Sequence, residues 1–321
     1  MKRALIVLSV IIAMATAATA QDIANKTWTN GHCEYRVFPE GNTLLFHGFD
    51  WHEGGFGFAL NKKTNGKMAI LEIQNDSVSY YCFPEYIGGT VEYNVLNGQE
   101  LLLIRNSKGA LADILINDNL KDLLTSSVVC FLAGTYSGAG GKSYEFSADA
   151  PRASGFGDTK RYTVDALYYL PGFFIHFEEG KPYMITGNSR ANANGLRLQV
   201  YSCIKDENDD WEPQEAGVLE LTKIKWSSTD KTTPGRYPYT SARVMTRGEL
   251  MHFTLDERDI MRNEIFARHG HIFKTARYRD YFNVQSWYKG TVNDATNLLS
   301  EIERLNVEQI IAVQEIVKKA N

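Results

Sequence analysis

Between Asn30 and Lys225 the chain never sustains a helical period, and this limits its fold more than any other feature. Short aromatic or aliphatic runs follow one another: CEYRVF (33–38), TLLFHGF (43–49), KMAILEI (67–73), SVSYYCF (77–83), TVEYNVL (90–96), ELLLIR (100–105) and ALADILI (110–116). After Cys130 come YEF (144–146), RYTVDALYYL (161–170), FFIHFEE (173–179), PYMIT (182–186), LRLQVYSCI (196–204) and VLELTKIK (218–225). Turns such as Asn65-Gly66 and Asn97-Gly98 separate partly alternating segments, the grammar of antiparallel strands. Many short strands without intervening helices predict one or two small barrels or sandwiches, not a parallel α/β sheet.

The β-rich region divides into stretches 21–127 and 128–225, alike in size, strand density and cysteine number, which suggests a weak internal duplication. The second opens with AGTYSGAGGKSYEF (133–146) and closes with VLELTKIK, a texture similar to small calycin-like barrels. Its GTYSGAGGKS is not a phosphate loop: Tyr136 stands where the first glycine belongs, and no helix follows Lys142-Ser143. A hairpin is the reading that fits.

Four cysteines, Cys33, Cys82, Cys130 and Cys203, form an even set without zinc-site spacing. In an exported chain they are disulfide candidates, and one bridge within each half, Cys33–Cys82 and Cys130–Cys203, is the expected pairing. Both pairs remaining reduced in the core is the alternative. HGFDWHEGG (47–55) offers His47 and His52 as weak metal candidates, but no three ligands converge locally and an aromatic-flanked turn is the expectation. DENDD (206–210) lacks the glycine and terminal glutamate of a calcium loop and reads as a solvated turn. No metal and no cofactor is therefore expected.

Lys2 and Arg3, an apolar core from Ala4 to Ala15 and the small residues Ala18-Thr19-Ala20 predict a signal peptide over residues 1–20. Nothing later approaches the roughly 18 apolar residues of a membrane span. The formal charge is −4, and removal of Lys2 and Arg3 makes it about −6. That balance provides no basic field for nucleic acid. The expectation is an exported protein, periplasmic or extracellular.

WSSTDKTTPGRYPYT, within residues 226–245, reads as a linker to an all-helical C-terminal domain at 246–321, which makes the fold class α+β. Thr254 and Glu257 form a capping box, Met261, Ile265 and Phe266 an apolar stripe, and Gly270 a left-handed cap. Thr275 is placed to cap a short helix through Phe282, and Asn306 with Gln309 a final one. The stretch RNEIFARHGHIF (262–273) gathers most of the chemistry. Arg268 and His269 fall where a helix end favours cations, while Arg262 and Asn263 sit in mid-helix and need partners. Arg262, Asn263, Glu264, Arg268 and His269, with Trp287 and Tyr288, are the candidate ligand or interdomain contacts. Bonding across helices or to Ser286-Trp287-Tyr288 would make them scaffold. No catalytic residue stands out.

RNEI, ARHG, a phenylalanine three residues on, YF (281–282) and SWY (286–288) together resemble a YARHG domain over about Thr246 to Gln314. The naming motif stands here as Phe266-Ala267-Arg268-His269-Gly270, with Phe266 in place of the tyrosine, so any role of that hydroxyl does not carry over. The resemblance implies a small helical module of exported bacterial proteins and supplies no catalytic residues.

These readings converge on a non-catalytic protein binding an envelope component or a protein partner. Aromatic residues are 12% of the chain, and exposed ones would stack on sugars. Two alternatives remain. An exported hydrolase would recruit Glu178 with Glu179, Asp50 with His52, or Glu264 with His269; a lipocalin-like carrier would need an open apolar barrel.

Overall fold

Period-2 alternation produces the strands. In β2 (Glu34–Glu40) Tyr35 and Val37 are buried while Arg36 and Phe38 face outward. In the computed structural model β2 belongs with β1 (Thr27–Thr29), β3 (Thr43–Asp50), β4 (Gly54–Lys62), β5 (Met68–Leu71), β6 (Thr90–Leu96), β7 (Gln99–Arg105) and β8 (Leu111–Ile116). Each strand pairs antiparallel with the next, and β8 returns to β1 with Thr29 opposite Ile116, closing a barrel. The structure describes residues 23–31, 33–40, 43–50, 54–62, 68–71, 84–118, 128–166, 172–178, 180–188, 197–227, 232–251 and 253–320.

The second barrel repeats the plan. It comprises β9 (Gly134–Ser137), β10 (Ser143–Phe146), β11 (Arg152–Ser154), β12 (Lys160–Ala166), β13 (Gly172–Phe177), β14 (Tyr183–Asn188), β15 (Arg197–Lys205), β16 (Trp211–Pro213) and β17 (Leu219–Trp226). Strands β9 to β15 pair in order, β15 passes to β17, and β17 closes on β9; β16 is a short return against the end of β15. The expected choice between barrels and sandwiches thus resolves to two closed antiparallel barrels. GTYSGAGGKS is the β9–β10 hairpin, with Tyr136 opposite Tyr144.

The helical region contains α1 (Tyr239–Ala242), α2 (Arg247–Met251), α3 (Leu255–Arg268), α4 (Ala276–Asn283), a single turn at Thr296–Leu298 and α5 (Glu301–Ala320). Helix α3 has the predicted capping box, with Thr254 and Glu257 exchanging side chain-to-backbone bonds. It ends in a Schellman motif: His271 N–H donates to Phe266 O at 3.1 Å and Gly270 N–H to Ala267 O at 2.9 Å. Gly270 takes φ +74°, and a Cβ there would lie 2.2 Å from Thr291 Oγ1. Among the described residues no helix is long and apolar enough to cross a membrane.

Among the described residues, aromatic and aliphatic side chains pack the core of each barrel. Trp28, Tyr35, Phe46, Phe58 and Tyr86 share the core of the first. The core of the second runs from Tyr136, Phe146 and Tyr162 without a break into Tyr237, Phe253, Met261, Ile265 and Ile310 of the helical region. Strands β7 and β8 are buried on both faces. Leu102, Ile104 and Leu115 point into the barrel, while Leu101, Leu103, Ile114 and Ile116 pack outward on Val244, Ile302 and Leu305. This explains why ELLLIR and ALADILI are continuous apolar runs rather than alternating ones.

Three expectations are corrected. Cys130 and Cys203 are free thiols, so no bridge joins them. Cys203 lies on the outer face of the second barrel with Phe174 and Met184, whereas Cys130 lies in the helical turn 128–132 and faces Arg243 and Glu249. Cys82 lies outside the described residues, so the Cys33–Cys82 pairing does too. Asn306 and Gln309 do not cap the last helix: it begins five residues earlier, where Ser300 and Glu303 exchange the capping bonds at 2.9 and 3.2 Å. Both are instead buried in mid-helix. Finally, HGFDWHEGG is not wholly a turn, because its two ends extend β3 and β4, paired from Thr43–Asn61 to Asp50–Gly54.

Candidate functional site

Of the RNEIFARHG residues, Glu264 and Arg268 lie where α3 meets the segment leading into α1. Glu264, 1% exposed, accepts the backbone N–H of Arg236 at 2.8 Å and of Tyr237 at 2.7 Å. Burial pushes its carboxyl up, against the pull of Arg268 and those two amides. The chain can approach this closely only because residue 235 is glycine. At Gly235, φ +112°, a Cβ would lie 2.3 Å from Glu264 Oε1.

Arg268 completes the arrangement. Its Nε donates to Pro234 O at 2.8 Å, Nη1 to Thr240 Oγ1 and Ser241 Oγ at 2.9 Å each, and Nη2 to Tyr237 O at 2.8 Å and to Glu264. A guanidinium has five N–H groups, and five bonds are made, all to this chain. Its side chain is 6% exposed.

His269 points the other way. Its Nε2 lies 2.8 Å from Glu303 Oε2, and Glu303 Oε1 accepts Ser241 Oγ at 2.6 Å. Burial would raise the Glu303 carboxyl, but the bonds from Ser241, Ser300 and His269 outweigh it and hold it below the ordinary glutamate range. Asn263 donates to Asp259 O one turn back at 2.7 Å, and Arg262 approaches Asp259 Oδ1 at 4.0 Å. Trp287 and Tyr288 pack on a separate aromatic group around Phe273, Phe282 and Ala267, and Tyr288 OH donates to His271 O at 2.6 Å. Phe266 packs on the His271 ring, 5.9 Å between centroids.

The structure therefore brings Glu264 and Arg268 together and sets His269 on a different acceptor. His47 is half-buried on β3; His52 and Glu179 lie outside the described residues, and Glu178 is exposed.

Two buried polar centres escaped the sequence reading. Asp113, fully buried on β8, accepts Asn30 Nδ2 at 2.9 Å, Gln309 Nε2 at 3.0 Å and the Tyr86 hydroxyl, and lies 3.0 Å from Arg247 Nε. Arg247 also reaches Glu85 at 2.7 Å and Ala112 O at 2.9 Å, tying α2 to the first barrel. The clue was a lone aspartate in an otherwise apolar strand. The second centre is Lys223, 4% exposed, whose Nζ donates to Phe131 O at 2.8 Å and Ala133 O at 3.1 Å. Burial pushes this ammonium well below its ordinary value, against the pull of Glu257. Its clue was position, since Lys223 continues the inward alternation of Leu219 and Leu221.

Residues 236–315 match the family model described as YARHG domain, a quarter of the chain. The match begins ten residues before the motif-based resemblance and so takes in the segment 236–241, part of which Arg268 and Glu264 hold. No curated protein and no solved structure matches the chain.

Proposed function

We propose that this is an exported, non-catalytic binding protein of the cell envelope, in which the YARHG module joins two barrels into a platform for a partner. The observation that carries this reading is the saturation of Arg268: all five of its donors are committed within the chain, so the motif works as scaffold. Export rests on the signal-peptide pattern of residues 1–20.

The carrier alternative draws no support from the described barrel cores, which aromatic side chains occupy. The hydrolase alternative draws none from Glu264 and His269, which bond to different partners. Recognition then belongs to surfaces and clefts.

The test is co-sedimentation of the full chain with washed envelope fractions, sacculi and membrane vesicles separately, beside mass determination of the secreted protein's N-terminus. Retention on one fraction and a mature start near Gln21 are expected. No retention on either, or an uncleaved start, overturns the reading.

A further inference from the structure

The two barrels are not attached to the helices in the same way. Met245, Ile265, Ile310 and Val313 belong to one core with Tyr136, Phe146 and Tyr162 of the second barrel. The inner core of the first barrel, among the described residues, contains no side chain from α1 to α5. The helices meet that barrel at a seam on its outside, where Val244, Ile302 and Leu305 lie against β7 and β8.

Around that seam the links are polar. Arg247 lies 3.0 Å from Asp113 Oδ2 and 2.7 Å from Glu85, and donates to Ala112 O at 2.9 Å. Gln309 donates to Asp113 at 3.0 Å, and the Gly248 N–H to Asn30 O at 2.8 Å. Arg105 with Glu308 at 3.2 Å and Asn94 with Glu301 at 3.3 Å stand at the exposed edge, where such contacts are worth little.

Separation treats the two attachments differently. Parting the second barrel from the helices carries a continuous apolar core into water. Parting the first returns Arg247, Asp113 and Glu85 to water, and recovering the cost of drying those charges offsets the lost attraction. Asp113 is not stranded by that step. It keeps three donors of its own barrel: Asn30 Nδ2 at 2.9 Å, the Ile114 N–H at 2.8 Å and the Tyr86 hydroxyl. Relative motion is the default at a junction between units unless it is large and apolar. We propose that the first barrel is a detachable lobe. It undocks from α2 and α5 as a folded unit and bares the seam, while the second barrel stays with the helices. This motion follows from the packing and is independent of the binding role.

Native-state thiol labelling of the full chain tests this. Leu305→Cys places a probe in the seam, Val313→Cys one in the shared core, and Val37→Cys one inside the first barrel. Ile302→Cys is a second seam position, should Leu305→Cys fail to fold. Each variant is labelled with a maleimide in urea below the main unfolding transition, and the sites are separated by peptide mass mapping. The seam thiol is expected to react at least about tenfold faster than the other two, with a shallower dependence on urea, the mark of a partial opening. Adding Arg247→Met, which loosens the polar links, should quicken the seam about tenfold more and leave the other two unchanged. A seam thiol no faster than Val313→Cys overturns the proposal. So does a Val37→Cys thiol that reacts together with the seam, because the first barrel then unfolds rather than undocks. Indifference of the seam to Arg247→Met overturns it as well.

Discussion

Gln309 on the last helix donates to Asp113 in the first barrel across 3.0 Å and 196 residues of chain, inside a site closed to water. Asp113 is also the carboxylate beside Arg247, so one aspartate gathers the barrel, α2 and α5.

Replacing Asp113 should therefore cost more than replacing Gln309. Asp113→Ala takes from the buried Arg247 guanidinium its fully buried carboxylate partner, and breaking a buried pair costs about 3–5 kcal/mol. Gln309→Ala removes a neutral bond of about 1 kcal/mol. Urea unfolding of the two variants checks the order; equal losses would mean that Arg247 does not depend on Asp113.

Arg268 should tolerate no cation in its place. Lysine has three donors on a point charge, against five in a planar fork. Arg268→Lys is expected to lose about 3 kcal/mol, a fall of roughly 6–12 °C in Tm. Arg268→Ala should lose more, and its deficit should shrink as pH falls. The reason is that Glu264, already pushed up by burial, then takes a proton more readily in the folded state than in the unfolded one. A Lys variant as stable as the wild type would contradict the saturation argument.

Glu303 makes the wild type acid-sensitive in the opposite sense. Its folded carboxyl is held low, so its contribution is fully present above the unfolded glutamate value of about 4.3 and disappears as pH falls through the lower folded one. Urea midpoints followed from pH 6 to pH 3 should fall more steeply for wild type than for Glu303→Gln. His269→Ala, which removes one of the three bonds, should give an intermediate slope. Parallel curves would rule this out.

The thiols provide a covalent check. Cys130 and Cys203 are free, and burial pushes both away from the reactive thiolate form. Alkylation of native protein should be slow at both. Alkylation of the unreduced, denatured chain followed by mass spectrometry should find both labelled, and a Cys130–Cys203 crosslinked peptide would refute the free assignment.

What could be read from the sequence was what lies close along it. The Thr254–Glu257 box and the Gly270 cap involve neighbours within five residues, so their chemistry is written locally. The strands were visible wherever one face meets water. What escaped depends on chain meeting chain: Arg268 finds four of its five acceptors 27 to 34 residues away, and Gly235 shows its purpose only once Glu264 lies against it. Asn306 looked like a cap because asparagine favours helix starts. Its true partners, the Met245 N–H at 2.7 Å and the carbonyls of Thr240 and Arg243, come from a segment that the sequence alone reads as irregular.

The core running unbroken from the second barrel into the helices also settles what counts as one part. Phe131 and Tyr237 both meet Phe253 edge to face, so barrel and helices share a seal that neither owns. A protease cut or a gene fusion placed just after Trp226 would not release two working pieces; it would leave two sticky ends. Val244, Ile302 and Leu305 also pack on the first barrel, so cutting there would bare a second apolar face, while in denaturant the second barrel and the helices should melt as one.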